Sequence, residues 1–236
     1  MTVDRRCDVP ADAEEARLLT RVVAQEDAER LRAEKISLGA ALTDARILAL
    51  SLVYFGIVAG LYSLTFWTPQ IVKAFGLSNA VTGLVAAVPF LAGSLIMPGW
   101  GRHSDRTRER VWHVAIPCFV GAAGLIAGTL TSDPYFSLMA LTLAAIGIFA
   151  GLPTFWTLPT SLLSGASAAA GIALINSIGN LGGFAGPYAV GWLKERGLTA
   201  AQSIAGISSV MLIAGIIVLL LGRSLTLARR SREAAS

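Results

Sequence analysis

Residues 101–110 read Gly-Arg-His-Ser-Asp-Arg-Thr-Arg-Glu-Arg, and they form the only strongly charged patch between residues 47 and 193. Apolar sequence flanks this patch on both sides. No Asp, Glu, Lys or Arg occurs in residues 74–101 or in residues 111–132. Four arginines between two such runs fit a loop at a membrane surface. This stretch therefore indicates an integral membrane protein.

The composition of the whole chain leads to the same class. The 236 residues are 54% hydrophobic and 14% charged, with a mean hydropathy of +0.65. Soluble domains carry about 25% charged residues. Uncharged runs of about 18 residues or more are typical of transmembrane helices, because about 20 residues are needed to cross the hydrocarbon core. We predict an all-α integral membrane protein.

Hydropathy and turn residues predict six transmembrane helices. Their approximate ranges are 47–67, 80–100, 113–130, 135–155, 168–192 and 203–221. Pro69 is expected to end or kink the first helix. Residues 156–166 are expected to form an uncharged connector after the fourth helix.

The predicted helices divide the chain into three parts. Residues 1–46 are polar and are interpreted as a cytoplasmic linker, with an exposed helix over 11–35. Residues 47–222 form the six-helix bundle, and residues 223–236 form a basic tail.

Basic residues predict the orientation of the bundle. All but three of the 19 Lys and Arg residues lie in the leader, in the 101–110 stretch or in the tail, which share one side. The positive-inside rule makes that side cytoplasmic, with both termini inside a plasma membrane, the bacterial inner membrane. The same dispersal argues against nucleic-acid binding, because the charge is not gathered on one soluble face.

Uncharged polar residues are the candidates for substrate binding. No predicted span core contains an ionisable side chain, so this chain alone cannot complete a charged binding site. Asn176 and Asn180 are four residues apart and share one helix face. They could bind a polar substrate or could hydrogen-bond between helices. Tyr54 and Tyr62 also share a face, and both are candidates for lining a cavity.

Other chemistry has little support in the sequence. His103, His113 and the two cysteines lack metal-ligand spacing, no Walker-type phosphate loop occurs, and no histidine accompanies a candidate serine nucleophile. We therefore predict no enzyme activity, no metal and no cofactor. His113 is expected to face the lipid headgroups at the edge of the third helix.

Two short segments of similar sequence are consistent with an internal repeat. Residues 65–69 read Thr-Phe-Trp-Thr-Pro, and residues 154–159 read Thr-Phe-Trp-Thr-Leu-Pro. In an inverted three-plus-three repeat these segments would be equivalent. A match this short could also arise by chance.

Three segments resemble a known family. The 101–110 stretch resembles the cytoplasmic loop motif of the major facilitator superfamily, in the copy between helices eight and nine. Residues 66–72, Phe-Trp-Thr-Pro-Gln-Ile-Val, and residues 173–183, Ala-Leu-Ile-Asn-Ser-Ile-Gly-Asn-Leu-Gly-Gly, resemble its anion:cation symporter branch. Members of this branch related to tartrate, phthalate and sugar-acid transporters import organic anions with protons.

The resemblance implies that the six helices correspond to helices seven to twelve of a twelve-helix transporter. It implies substrate contacts from Trp156 and Asn176. It also matches Gly101, Asp105 and Arg106 to the gating motif, with Arg110 among its final basic residues. The family's usual glycine in that turn is Arg108 here, which puts close packing of the turn in doubt.

Three functional hypotheses follow. The first is a carboxy-terminal half of a proton-coupled symporter for small organic anions. The second is a truncated membrane fragment that does not transport. The third is a six-helix protein that works by pairing with itself or with a separately encoded amino-terminal half. The partners implied are the lipid bilayer, the organic anion and the proton.

Overall fold

A computed structural model describes residue 39 and residues 42–130, 133–163 and 166–233. The helix predicted over 11–35 lies outside the described residues. The described residues form six α-helices and no β-strand. These are α1 (Ala45–Lys73), α2 (Asn79–Thr107), α3 (Val111–Ala127), α4 (Pro134–Leu162), α5 (Ala166–Glu195) and α6 (Ala200–Glu233).

The six-helix, all-α prediction is confirmed. Five of the helices are long and apolar enough to cross a membrane, whereas α3 is a shorter apolar helix of 17 residues. The turns between helices are short, so successive helices run in opposite directions. We call the end where α2 ends and α3 begins the Arg-rich end.

The helix boundaries correct the predictions in three places. Pro69 does not end α1, which continues to Lys73. Residues 156–162 are helical and belong to α4, so the predicted connector was wrong over most of its length. Residues 101–107 belong to α2, which leaves only 108–110 as a turn. Membrane helices tolerate internal proline because neighbouring groups satisfy the freed carbonyl.

Glycines set the closest helix contacts. A Cβ at Gly182 or Gly186 on α5 would meet the backbone of α1 at Phe55 or Ala59. A Cβ at Gly124 on α3 would likewise meet the backbone of α4. Small residues permit such approach in lipid, where packing rather than water exclusion holds helices together. These glycines therefore let α5 lie close against α1, and α3 close against α4.

The sixth helix completes the bundle by packing against α1 and α3. Met211 is fully buried and lies against Gly60 of α1 and Gly121 of α3. Nearer the Arg-rich end, Gly215 lies against the ring of Phe119. A core of large apolar side chains therefore runs between α1, α3 and α6.

Helix pairing repeats between the two halves of the bundle. α1 packs mainly against α5 and α6, and α4 packs mainly against α2 and α3. Exchanging α1–α3 with α4–α6 preserves these pairs, as an inverted three-plus-three repeat requires. Trp67 and Trp156 lie toward the ends of the equivalent helices α1 and α4. Each belongs to one of the two segments of similar sequence.

Two helices expose most of their apolar surface. In both α2 and α5, only 22% of the most apolar 18-residue window is buried. The exposed large apolar side chains include Leu84, Leu91 and Leu95 on α2, and Leu181, Phe184 and Tyr188 on α5. The candidate polar residues lie along the α5 part of this surface.

Candidate functional site

An aromatic cluster joins α1 to α4. The Tyr54 ring stacks on Phe155, with centroids 5.0 Å apart and planes 13° apart. The Trp156 ring meets Tyr54 edge-on at 4.9 Å. Phe155 is fully buried, whereas Trp156 is half-buried. Tyr54, predicted to line a cavity, is therefore in contact with Trp156, for which the resemblance implies a substrate contact.

Helix α5 contacts the same cluster through a glycine. A Cβ at Gly179 would overlap the Tyr54 ring, so only glycine lets this turn of α5 lie against it. Asn176 and Asn180 lie three residues before and one residue after this glycine. The two amides are thus held on the turn that packs against Tyr54.

The two asparagines form one hydrogen-bonded unit on the exposed face of α5. Asn180 Nδ2 donates to the Asn176 backbone oxygen at 2.8 Å and to Asn176 Oδ1 at 2.9 Å. A backbone oxygen can only accept, so the Asn180 atom in both contacts is the amide nitrogen. The prediction that both amides share a face is confirmed.

Tyr62 lies apart from this group. Its ring contacts Gly183 on α5, one turn beyond Gly179, and it is 49% exposed. It borders an open cleft of about 720 Å³. The aromatic lining of this cleft, which we call the aromatic cleft, comprises Tyr62, Phe66, Trp67, Phe184, Tyr188 and Trp192.

Sequence reasoning missed the α5 side of the aromatic cleft. Phe184 and Tyr188 are four residues apart on α5 and stack with centroids 5.4 Å apart. Their i, i+4 spacing was the available signal. A positive charge also lies near the cleft, because Lys194 Nζ is 4.5 Å from the ring centroid of Trp67, one of its lining residues.

The residues that the resemblance matches to the gating motif lie at the Arg-rich end. Asp105 Oδ1 accepts from Arg110 Nη1 at 2.7 Å, and the same nitrogen donates to Ser104 Oγ at 3.0 Å. Arg106 is exposed in the last turn of α2. A Cβ at Gly101 would meet open space among the described residues.

Arg108 forms the turn without a glycine. Its φ of 53° is left-handed, a conformation that glycine adopts without strain. The turn therefore closes in a left-handed conformation that glycine would suit, with arginine at this position.

His113 does not face headgroups as expected from the sequence. It is 6% exposed, and its Nε2 lies 2.7 Å from His103 Nδ1. Its Nδ1 lies 3.1 Å from Glu109 Oε2. A buried imidazole needs such partners, and these come from α2 and the turn. In the part of the chain described, no three His, Cys, Asp or Glu side chains are grouped to hold a metal.

Comparison with known proteins places this bundle in a family. Residues 12–187 match the Major Facilitator Superfamily. Two proteins of Agrobacterium vitis, each named "Putative tartrate transporter", are similar to the chain. The first is 45% identical over 221 residues, covering 94% of this chain and 49% of that protein. The second is 47% identical over 188 residues, covering 80% and 43%.

A solved structure shares the fold. A bacterial homologue of the human lysosomal transporter Spinster, in an inward-facing and unoccupied conformation, superposes with a TM-score of 0.50 at 18% identity. The match covers 80% of this chain and 48% of that one. The chain thus spans about half the length of these relatives, roughly the carboxy-terminal half of the curated ones. It belongs to the Major Facilitator Superfamily and is a multi-pass membrane protein.

Proposed function

We propose that this chain supplies the carboxy-terminal half of a secondary transporter for small organic anions, such as dicarboxylates or sugar acids, in symport with protons. Its relatives named as tartrate transporters support this substrate class. The bundle would lie in a plasma membrane, the bacterial inner membrane, with both termini and the Arg-rich end in the cytoplasm.

The asparagine unit is the observation that carries the proposal. Asn176 Oδ1 accepts a hydrogen bond from Asn180 Nδ2, which fixes the orientation of the Asn176 amide. The NH₂ group of Asn176 is then free to donate elsewhere. An NH₂ group donates to a carboxylate and cannot accept from a cation. Asn176 would thus contact the anion, and Asn180 would position it.

The aromatic residues complete this half of the site. Trp156 is half-buried beside Tyr54, and its indole N–H is a second donor for a carboxylate. Tyr54 sets the position of the Trp156 edge. Tyr62, in the aromatic cleft, lies nearer the opposite end of the bundle and would line the path of the substrate.

Charge neutralisation requires groups from elsewhere. Neither α1 from residue 47 to 72 nor α4 contains an Asp, Glu, Lys, Arg or His. A buried carboxylate needs a charged or strongly donating partner. The exposed faces of α2 and α5 suit coverage by a second six-helix bundle, which would supply that partner and the proton-binding group.

The gating motif would act at the interface with that second bundle. Asp105 is 67% exposed in its pair with Arg110, so it can exchange this partner for a helix N-terminus of the other half. Arg106 is placed to hydrogen-bond carbonyl groups there, and Gly101 leaves room for close approach. Such a latch would favour the outward-open state.

Uptake by reconstituted vesicles tests the proposal. The chain is reconstituted alone and together with the amino-terminal half of a tartrate-transporter relative, and uptake of labelled tartrate is measured with an inward proton gradient. We expect uptake only when both halves are present, and its loss when an uncoupler dissipates the gradient. Absence of uptake in the assembled pair would instead support the non-transporting fragment.

A further inference from the structure

A chain of hydrogen bonds links the two histidines to a carboxylate at the Arg-rich end. Glu109 Oε2 lies 3.1 Å from His113 Nδ1, and His113 Nε2 lies 2.7 Å from His103 Nδ1. The Glu109 carboxylate also accepts from the Trp112 backbone N–H, at 3.0 and 2.9 Å from its two oxygens. The Glu109 end of this chain of bonds is therefore fixed by the backbone at the start of α3.

The position of each hydrogen follows from the acceptors. An ionised carboxylate only accepts, so His113 Nδ1 carries the hydrogen in the bond to Glu109. In a neutral ring this leaves His113 Nε2 as an acceptor, and His103 Nδ1 must donate to it. The neutral pair thus has one unprotonated nitrogen left, His103 Nε2, and His103 is exposed.

Two protons have different consequences for this pair. The first binds at His103 Nε2 and leaves every hydrogen bond in place. The second must bind at His113 Nε2, where it would face the hydrogen on His103 Nδ1. Two N–H groups cannot remain 2.7 Å apart, and both rings would then be positively charged. The second proton therefore breaks the contact between the two rings.

His113 is also where three helices meet. Its backbone oxygen accepts from Trp100 Nε1 of α2 at 2.9 Å and lies 3.0 Å from Thr154 Oγ1 of α4. The Trp100 ring packs on both imidazoles, with centroids 6.3 Å from His103 and 5.0 Å from His113. Displacing the imidazoles therefore removes the ring contacts by which Trp100 and His103 of α2 pack against His113 of α3.

Few other charges face the pair. Arg110 is engaged by Asp105 and Ser104, and Glu109 is already in the chain. Helix α4 contributes no Asp, Glu, Lys, Arg or His. Helix α6 brings the exposed Arg223 to this end, next to the glycine that packs against Val111. The other charged side chains of α2 here are the exposed Arg102 and Arg106.

We propose that Glu109, His113 and His103 form a proton-binding site that releases the end of α2 from α3 once both imidazoles are charged. Histidine changes charge between about pH 5 and 8, so the site would respond to acidification of the compartment it faces. Proton binding at this site does not depend on a transported substrate, so the site is tested in this chain alone.

The chain is well suited to a direct test, because it contains only two histidines. The full chain with isotope-labelled histidine is placed in lipid nanodiscs, and the ring signals are followed by NMR from about pH 8 to 5. We expect two distinct proton-uptake steps instead of one common step, because the two rings are in contact. In His103→Gln, His113 should titrate in a single step.

Two variants separate the role of Glu109 from a general charge effect. Glu109→Gln should move the first step to lower pH, because a nearby negative charge favours the imidazolium. Asp105→Asn removes the same charge from the same segment without touching either ring, and should move it by less than half as much. Equal effects of the two variants would overturn the role given to Glu109.

Hydrogen exchange of backbone amides in residues 104–112 reports the release itself. After correction for the intrinsic pH dependence of exchange, protection should fall by tenfold or more across the second step. It should not change in a variant with both histidines replaced by Gln, provided that its helical circular dichroism matches the parent. A single common titration step, or an unchanged loss of protection in the double variant, would refute the proposal.

Discussion

The Trp156 ring meets Tyr54 edge-on, with centroids 4.9 Å apart, although the two residues belong to the first helices of the two halves of the bundle. Phe155 holds Tyr54 from one side, and Gly179 of α5 lies against the same ring. Three helices thus converge on one aromatic side chain. Substitutions around it can separate contact with substrate from packing.

Replacing Asn176 tests the sign of the substrate's charge. In the assembled transporter, Asn176→Ala should raise the KM for the organic anion about tenfold or more, because a hydrogen bond to a charged group contributes about 1.5–3 kcal/mol. Asn176→Asp should impair uptake further, since it places a negative acceptor where a donor stood. An Asp variant that transports as well as the Ala variant would contradict an anionic substrate at this position.

Trp156→Phe removes the indole donor but keeps an aromatic edge against Tyr54. We expect the KM to rise about tenfold, while the unfolding midpoint of the detergent-solubilised protein changes little. Phe155→Leu is the matched control, because it disturbs the fully buried neighbour and should lower stability with a smaller effect on KM. The reverse pattern would assign Trp156 to packing alone.

Gly182→Ala should destabilise the bundle by about 1–3 kcal/mol, because the new methyl group would meet the Phe55 carbonyl oxygen on α1. Backbone cannot rotate away as a side chain can. Gly191→Ala on the same helix meets nothing within 4 Å and should be neutral or slightly stabilising. Reversible unfolding in mixed micelles measures both, and equal effects would contradict the α1–α5 packing described above.

Arg108→Gly should stabilise the protein by about 1 kcal/mol. The residue has a φ of 53°, where a Cβ is strained and glycine is not. Arg102→Gly removes an arginine from the regular, exposed part of α2 and should cost about 0.5–1 kcal/mol. The opposite signs of these two substitutions in the same unfolding assay would show that backbone conformation, and not loss of charge, is responsible.

Asp105→Asn should barely alter stability, because its pair with Arg110 is exposed and such pairs contribute less than about 1 kcal/mol. In the assembled transporter it should shift the population away from the outward-open state. Accessibility of a cysteine introduced on each side of the membrane measures that population. An unchanged distribution would contradict the proposed latch.

Part of this protein could be predicted from residue order alone. The six helices and the amide pair on one face of α5 depend on local spacing, and both predictions agree with the structure. The predicted connector at residues 156–166 was wrong because prolines that would end a helix in water are tolerated in a membrane. The environment of His113 was also wrong, since its partners come from α2 and the turn.

Residue order is enough to predict the membrane class, the number of helices and the family, because it contains the span lengths, the charge asymmetry and the motif spacing. It does not show which helix faces meet. In α1, Leu50 is fully buried whereas Leu52 is 54% exposed, although both are leucine. Lipid is as apolar as the protein core, so hydrophobicity cannot distinguish a lipid-facing residue from a packed one. The contacts of Tyr54 with Trp156 and of His103 with His113 therefore became visible only when the helices were assembled.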